Sequence, residues 1–298
     1  MANYFDEIAK NNLRSLLLMG IFFMLFAAIV WLLVWAFGGG LFLFVIGLIF
    51  IAIYAAIVYF SGDRMLLSLE GAKEVDQKQY ETLYSIVDGL AQATQVPMPK
   101  VYIINDRNPN AFATGKNRKA SAICVTSGLL SMMSNDELTG VIAHEMSHIQ
   151  DNDIKFMMIA VVFAGVIGLI SVIFRNMLWF GGGFGRDRNG GVLLIVALVI
   201  GIVAPIVAFL VRLAISRRRE YMADANGARI IRNPAALASA LKKIKKYEEN
   251  PNSPPVQRVN EITAPLYFAN PLNKSNIANL LSTHPPIEKR IEILEKMY

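Results

Sequence analysis

Four long apolar runs govern what this chain can fold into. They are Leu13–Phe37, with Arg14 at its start, Leu41–Phe60, Phe156–Phe174 and Val192–Ile215, the last broken only by Pro205 and Arg212. A helix needs about 20 apolar residues to cross the hydrocarbon of a bilayer, and each run has that length. They explain why 54% of the 298 residues are hydrophobic and only 17% charged, more apolar mass than one soluble core uses. The first run is too long for a signal-peptide core and is read as a retained span. Gly38-Gly39-Gly40 turns it into the second, making a hairpin. Only glycines lie at the far end, whereas Lys10, Arg14 and Arg64 flank the near end, which the positive-inside rule places in the cytoplasm. The loop of the second pair carries Arg175, Arg186 and Arg188 on its far side, against that rule. If this pair also crosses, the chain returns to the cytoplasm at Ser216.

The segments between the runs have soluble composition. Tyr80, Leu83, Tyr84, Val87, Leu90 and Ala91 share one helical face, and Pro97 and Pro99 end that helix. Lys100–Asn105, Asn110–Gly115 and Ala120–Thr126 read as three short strands. Their sheet edge, over Asn110, Ala111, Phe112, Ala113 and Thr114, is a candidate for pairing with an extended peptide; an ordinary covered edge is the alternative. The single cysteine, Cys124, excludes an intramolecular disulfide and reads as a buried thiol in a strand. A net charge of +6 raises nucleic acid as a partner, but the basic residues cluster beside apolar runs and fit a membrane surface instead. No nucleic-acid partner is expected. The expected organisation is an N-terminal transmembrane hairpin (1–60), a first soluble part (61–155), a second hydrophobic hairpin (156–215) and a second soluble part (216–298). The fold class is α+β, mainly α-helical and integral to the membrane, with four hydrophobic helices and a small β-sheet.

The chemistry centres on His144-Glu145-Met146-Ser147-His148, which reads H-E-x-x-H and uses two of only three histidines. On a helix, residues four apart lie on one face, so both imidazoles can serve one ion. Glu145 stands beside that ion as a general base. Ser134 and Glu137 form a capping box that starts the helix. Downstream, Ser216–Asp224 offers Glu220 as a third ligand, one zinc ion being held by two histidines and a carboxylate. Asp224, one turn on, can accept the remote N–H of a ligand histidine. Taken alone, Glu220 reads equally as a partner of Arg217, Arg218 and Arg219, and Asp224 as a solvated helix carboxylate. Residues 250–283 form a long Pro- and Asn-rich stretch, a candidate lid. His284 precedes Pro285 and Pro286 at the start of a terminal helix and is either a helix-entry residue or a donor to a developing oxyanion.

Together these residues resemble the HtpX-type membrane zinc proteases, gluzincins related to the CAAX prenyl proteases. The resemblance rests on Asn110–Gly115, His144-Glu145-x-x-His148, Ser216–Asp224, and His284-Pro285-Pro286 with Arg290, in that order, over nearly the whole chain. It implies a zincin-like catalytic domain made of the two soluble parts, 61–155 and 216–298, with Zn2+ on His144, His148 and Glu220 and with Glu145 as base and acid. It implies an endopeptidase for misfolded or damaged membrane proteins on the cytoplasmic side, acting in quality control under stress. It also implies that residues 110–114 line the cleft and that His284 and Arg290 support the active site. A CAAX-type prenyl protease and a non-catalytic zinc-binding scaffold are the alternatives. An intact Glu145 argues against the scaffold, which needs no base. Sequence distance adds a position. At about 1.5 Å per helical residue, His148 and Glu220 fall within roughly 7–12 Å of the third and fourth runs if helices continuous with those runs carry them.

Overall fold

A computed structural model describes residues 4–36, 40–162, 217–250, 252–253, 266–269 and 285–297. Two long helices open the chain, α1 (Tyr4–Ala36) and α2 (Leu41–Leu69). They pack as a hairpin, with Phe22 fully buried and the Trp31 and Phe44 rings edge to face at 5.0 Å. A Cβ at Gly47 would overlap the Val30 side chain, so glycine permits the close approach. Of the four expected spans, α2 alone among the described helices passes on length and hydropathy, with a mean hydropathy of 3.0 and 6% of its most apolar window buried. The apolar stretch of α1 is the shorter Met19–Leu32. Residues 163–216, which hold most of the third and fourth runs and the glycine-rich loop, lie outside the described residues, as does most of the proposed lid. Helix α2 also runs past residue 60, where the composition turns polar, to Leu69. Asp63 and Arg64 interrupt the apolar pattern without breaking the helix, because neither is a helix terminator.

The sheet contains β1 (Lys73–Glu74), β2 (Lys100–Ile104), β3 (Ala111–Asn117) and β4 (Ala120–Thr126) in the order β1-β2-β4-β3. β2 and β4 are parallel, and the other two pairs antiparallel. The three expected strands are present; β1 is an addition. Its two residues are exposed and carry no apolar alternation, which is why the sequence pattern does not reveal it. β3 shifts its register against β4 at a bulge between Gly115 and Asn117. Gly115 sits there at φ 148°, and a Cβ would lie 2.3 Å from the Ala120 carbonyl oxygen. Only glycine is comfortable in that conformation.

One sheet face meets helix α3 (Glu81–Thr94), the short α4 (Ser127–Met132) and α5 (Asn135–Gln150). Leu83, Val87, Leu90 and Ala91 bury the expected stripe of α3. The capping box of α5 is formed as the sequence predicts: Glu137 N–H donates to Ser134 Oγ at 3.3 Å, and Ser134 N–H to Glu137 Oε2 at 2.8 Å. The Glu137 carboxylate also accepts from Lys243 and Ser239 at 2.6 and 2.7 Å. Burial opposes its charge, but these donors hold its carboxyl down at about 2.

The opposite face, with Ile104, Phe112 and Cys124, packs on Phe22, Val58, Leu66 and Leu67 of the hairpin and on a helical segment, α6 (described over 153–162). Cys124 is fully buried, as its strand position implies. α5 and α6 are not one continuous helix. Asp151 closes α5 and Asn152 takes a left-handed conformation at φ 59°. Asparagine tolerates that region better than most side chains. The chain therefore turns between His148 and the third apolar run, and the expected continuity fails at this point.

Three further helices complete the described chain: α7 (Arg217–Ile231), α8 (Pro234–Glu249) and α9 (Ile287–Glu295). α8 begins with Asn233 accepting from Ala236 N–H and proline in the first turn. α7 buries Glu220, Ala223, Asp224, Gly227 and Ala228, a stripe at helical spacing that faces α5.

Candidate metal centre

α5 is buried from Val141 to Ile149, so the polar groups it carries inward must find partners there. His144 and His148 stand one turn apart with their Nε2 atoms 3.2 Å from each other. α7 brings in Glu220, whose Oε2 is 3.7 Å from His144 Nε2 and whose Oε1 is 3.5 Å from His148 Nε2. The three side chains supply one donor each within 4.8 Å of one another, and all are buried. A tetrahedral ion with metal–nitrogen and metal–oxygen bonds of about 2.0–2.1 Å sets its ligand atoms about 3.3–3.4 Å apart. The two nitrogens, 3.2 Å apart, match that edge, and with one Glu220 oxygen turned to both of them the three residues suit a small tetrahedral ion.

Each histidine is held from behind. His144 Nδ1 lies 2.9 Å from Asp224 Oδ1. Arg290 grips the same carboxylate through two bonds of 2.8 and 2.7 Å and donates to the Phe268 carbonyl at 2.7 Å. The Phe268 ring lies edge to face with His144 at 4.9 Å and beneath the Arg290 guanidinium at 4.5 Å. His148 Nδ1 lies 3.2 Å from Asp153 Oδ2. Burial opposes a charge on His148, but Asp153 and the neighbouring carboxylates outweigh it and raise the imidazole to about 9. Burial also acts against a charged Asp224, and Arg290 overcomes it and holds the carboxyl low. In the metal-free chain His148 therefore carries a proton near neutral pH. A metal must displace it, and capture weakens as pH falls.

Glu145 is 2% exposed, and burial raises its carboxyl above the ordinary range against the pull of the two histidines. The backbone N–H of Ala113 on β3 favours its charge, and α5 packs on β3, so the edge strand lies next to this carboxylate. Within 110–114 the roles divide. The Asn110 side chain clasps Ala269, donating to its carbonyl at 2.7 Å and accepting from its N–H at 3.1 Å. The Ala111 carbonyl accepts from Phe268 N–H at 2.8 Å. The first part of the expected substrate edge is thus covered by the chain's own residues 266–269. Phe112 and Thr114 turn their backbone toward β4. By the alternation of an antiparallel pair, the outward backbone groups belong to Ala111, Ala113 and Gly115.

The structure brings together His144, Glu145, His148, Glu220, Asp224 and Arg290 from three helices. His284 lies outside the described residues. Sequence reasoning missed Asp153, Phe268 and Gly227. The signal for Asp153 is a carboxylate five residues beyond His148 and just past a turn-forming asparagine. Gly227 lies two turns along α7 from Glu220, and a Cβ there would stand 2.9 Å from His144 N and 3.1 Å from His144 Cα. The helices cross where only hydrogen fits. Gly227→Ala is expected to gain about 1 kcal/mol of helix propensity but lose more to overpacking, for a net cost of about 1–2 kcal/mol. Thermal melts with and without metal test this. A raised midpoint in the metal-free chain would show that the crossing has slack.

Comparison with known proteins places this geometry. The model of Peptidase family M48 matches residues 77–298, which include every side chain of the centre. The chain is 42% identical over 294 residues to a protease HtpX homologue of Caldanaerobacter subterraneus subsp. tengcongensis, covering 97% of this chain and 96% of that one. It is 41% identical to a protease HtpX homologue of Streptococcus gordonii, covering 98% and 99%. The crystal structure of S. mikatae Ste24p aligns with a TM-score of 0.49 at 17% identity, over 97% of this chain and 67% of that one. On the extent of the family match and of these relatives, the chain belongs to peptidase family M48, with HtpX proteases among its homologues.

Proposed function

We propose that the protein is a membrane-embedded, zinc-dependent endopeptidase. The observation that carries this is the convergence of two imidazoles and one carboxylate, all buried and with donor atoms within 4.8 Å of one another, beside a buried glutamate next to an edge strand. Two nitrogens and one oxygen form a donor set that suits zinc and leaves a fourth position open. When bound, the zinc supplies Lewis acidity toward the scissile carbonyl.

The chain's own residues do the rest. Glu145 takes a proton from the attacking water and delivers it to the leaving amine. The Ala113 N–H orients that carboxylate. The Ala113 carbonyl and the outward groups of Gly115 receive an extended substrate segment as an added strand. Burial of the ligands keeps bulk water from competing.

The substrates are unfolded or membrane-protein segments near the cytoplasmic face of a plasma or inner membrane, in a quality-control role under stress. Support for the bilayer comes from α2, whose apolar window is only 6% buried, unlike the core helix of a soluble protein. Support for a site close to the membrane comes from α6, which starts three residues after α5 ends and is packed on the hairpin.

The test uses the full chain in detergent. Chelation is expected to abolish cleavage of an unfolded polypeptide, and stoichiometric zinc to restore it. Cleavage that persists after the metal is stripped would reject the reading. Preference for a prenylated tail peptide over an unfolded chain would reject the substrate class but not the chemistry.

A further inference from the structure

We propose that Asp153 is a positioning residue for the ligand histidine His148, and that through Arg219 it ties the metal centre to the apolar helix α6. The proposal rests on the metalloprotease reading above and adds a residue pair to it.

The two histidines of α5 are backed by parallel relays. Behind His144 run Asp224, Arg290 and the Phe268 ring. Behind His148 run Asp153 at 3.2 Å, Arg219 with Nη1 3.5 Å from Asp153 Oδ1, and the Phe156 ring 4.7 Å from the Arg219 guanidinium. Each relay reads histidine, aspartate, arginine, phenylalanine. In each, the carboxylate fixes the Nδ1 proton and so turns Nε2 toward the shared centre. The arginine stacks on an aromatic face and holds the carboxylate.

The backbone is shaped for the second relay. In an unbroken helix a residue five beyond His148 would be rotated about 140° away from it. The left-handed Asn152 breaks the helix and brings Asp153 back under the imidazole. Asp153 is 3% exposed, a buried carboxylate whose position is met by both His148 and Arg219.

The two relays differ in where they are anchored. The first ends on α9 and residue 268, within the catalytic part. The second ends on Phe156 of α6, and Phe156 to Val162 are buried in the cluster that holds Phe22, Val58 and Leu66 of the hairpin. A Cβ at Gly62 of α2 would lie 3.3 Å from Met158 Sδ, so α6 is closely seated there. Its bonds, at 3.2 and 3.5 Å, are also longer than those of the Asp224 relay. The orientation of His148 therefore depends on the seating of an apolar helix, and that of His144 does not.

The experiment measures metal capture in the full chain in detergent, by competition with a chromophoric zinc chelator and by the visible spectrum of the cobalt-substituted protein. Asp153→Ala is expected to weaken zinc binding about 10–100-fold and to shift the cobalt bands. Asp153→Asn keeps an acceptor and a helix-start residue, so it should recover part of the affinity, with the metal-free melting midpoint near that of the parent. Arg219→Gln should weaken zinc binding less than Asp153→Ala and shift the same bands. Parental affinity and an unchanged cobalt spectrum in Asp153→Ala would overturn the proposal. So would a loss of affinity that follows a loss of metal-free stability with no spectral change. If the parent chain takes up neither zinc nor cobalt, the metalloprotease reading itself falls.

Discussion

Replacing Glu145 with glutamine is expected to lower kcat/KM on an unfolded polypeptide by about 10²–10⁴-fold, the usual worth of a general base. Metal content should be unchanged, because the ligands are His144, His148 and Glu220. The fold should not suffer either. Glutamine has nearly the same shape, and its amide oxygen can still accept from Ala113 N–H. Glu145 is held in a site where burial acts against its charge, and a neutral group removes that cost. The melting midpoint of Glu145→Gln should therefore equal or exceed that of the parent. Metal analysis, a melt and a cleavage assay on one preparation check all three. Parental cleavage by a variant that still binds metal would remove Glu145 from the mechanism.

The legible parts of this chain are those where one local signal dominates. The capping box at Ser134, the H-E-x-x-H spacing and the burial stripe of α3 are each set within a few residues, and the structure reproduces them. Glu220 and Asp224 were legible only as alternatives, since in sequence arginine neighbours also account for Glu220 and a solvated helix face for Asp224. Packing of α7 on α5 decides between those roles by burying both to 3% and 1% exposure. What sequence could not give depends on chain segments distant from each other. Residues 266–269 cover Asn110 and Ala111 across more than 150 positions, so the covered edge that the sequence left as an alternative holds for the first part of the strand. Asp153 faces His148 because of one left-handed residue, and helical periodicity carried through the run would place it elsewhere. Gly227 has no motif; its meaning is the distance to His144.

Removing Arg290 is expected to give the largest loss of stability. Its guanidinium is 2% exposed and holds Asp224, itself 1% exposed, through two short bonds. Arg290→Met leaves a buried carboxylate with one imidazole for company. Breaking such a pair from one side costs about 3–5 kcal/mol, a large share of the 5–15 kcal/mol typical of a folded domain. The loss of the Phe268 carbonyl bond adds to it and loosens residues 266–269 over the β3 edge. The double variant Asp224→Leu/Arg290→Met separates charge burial from function. Removing both charges should restore much of the stability, since a buried pair is often no better than well-packed apolar groups. It should not restore metal affinity, because His144 then lacks the acceptor that fixes its tautomer, a loss of about 10–100-fold. Melts of the metal-free chain and chelator competition on the two single variants and the double supply the cycle. Recovery of both properties in the double variant would show that the pair serves packing alone. Recovery of stability without affinity assigns Asp224 and Arg290 to the orientation of His144.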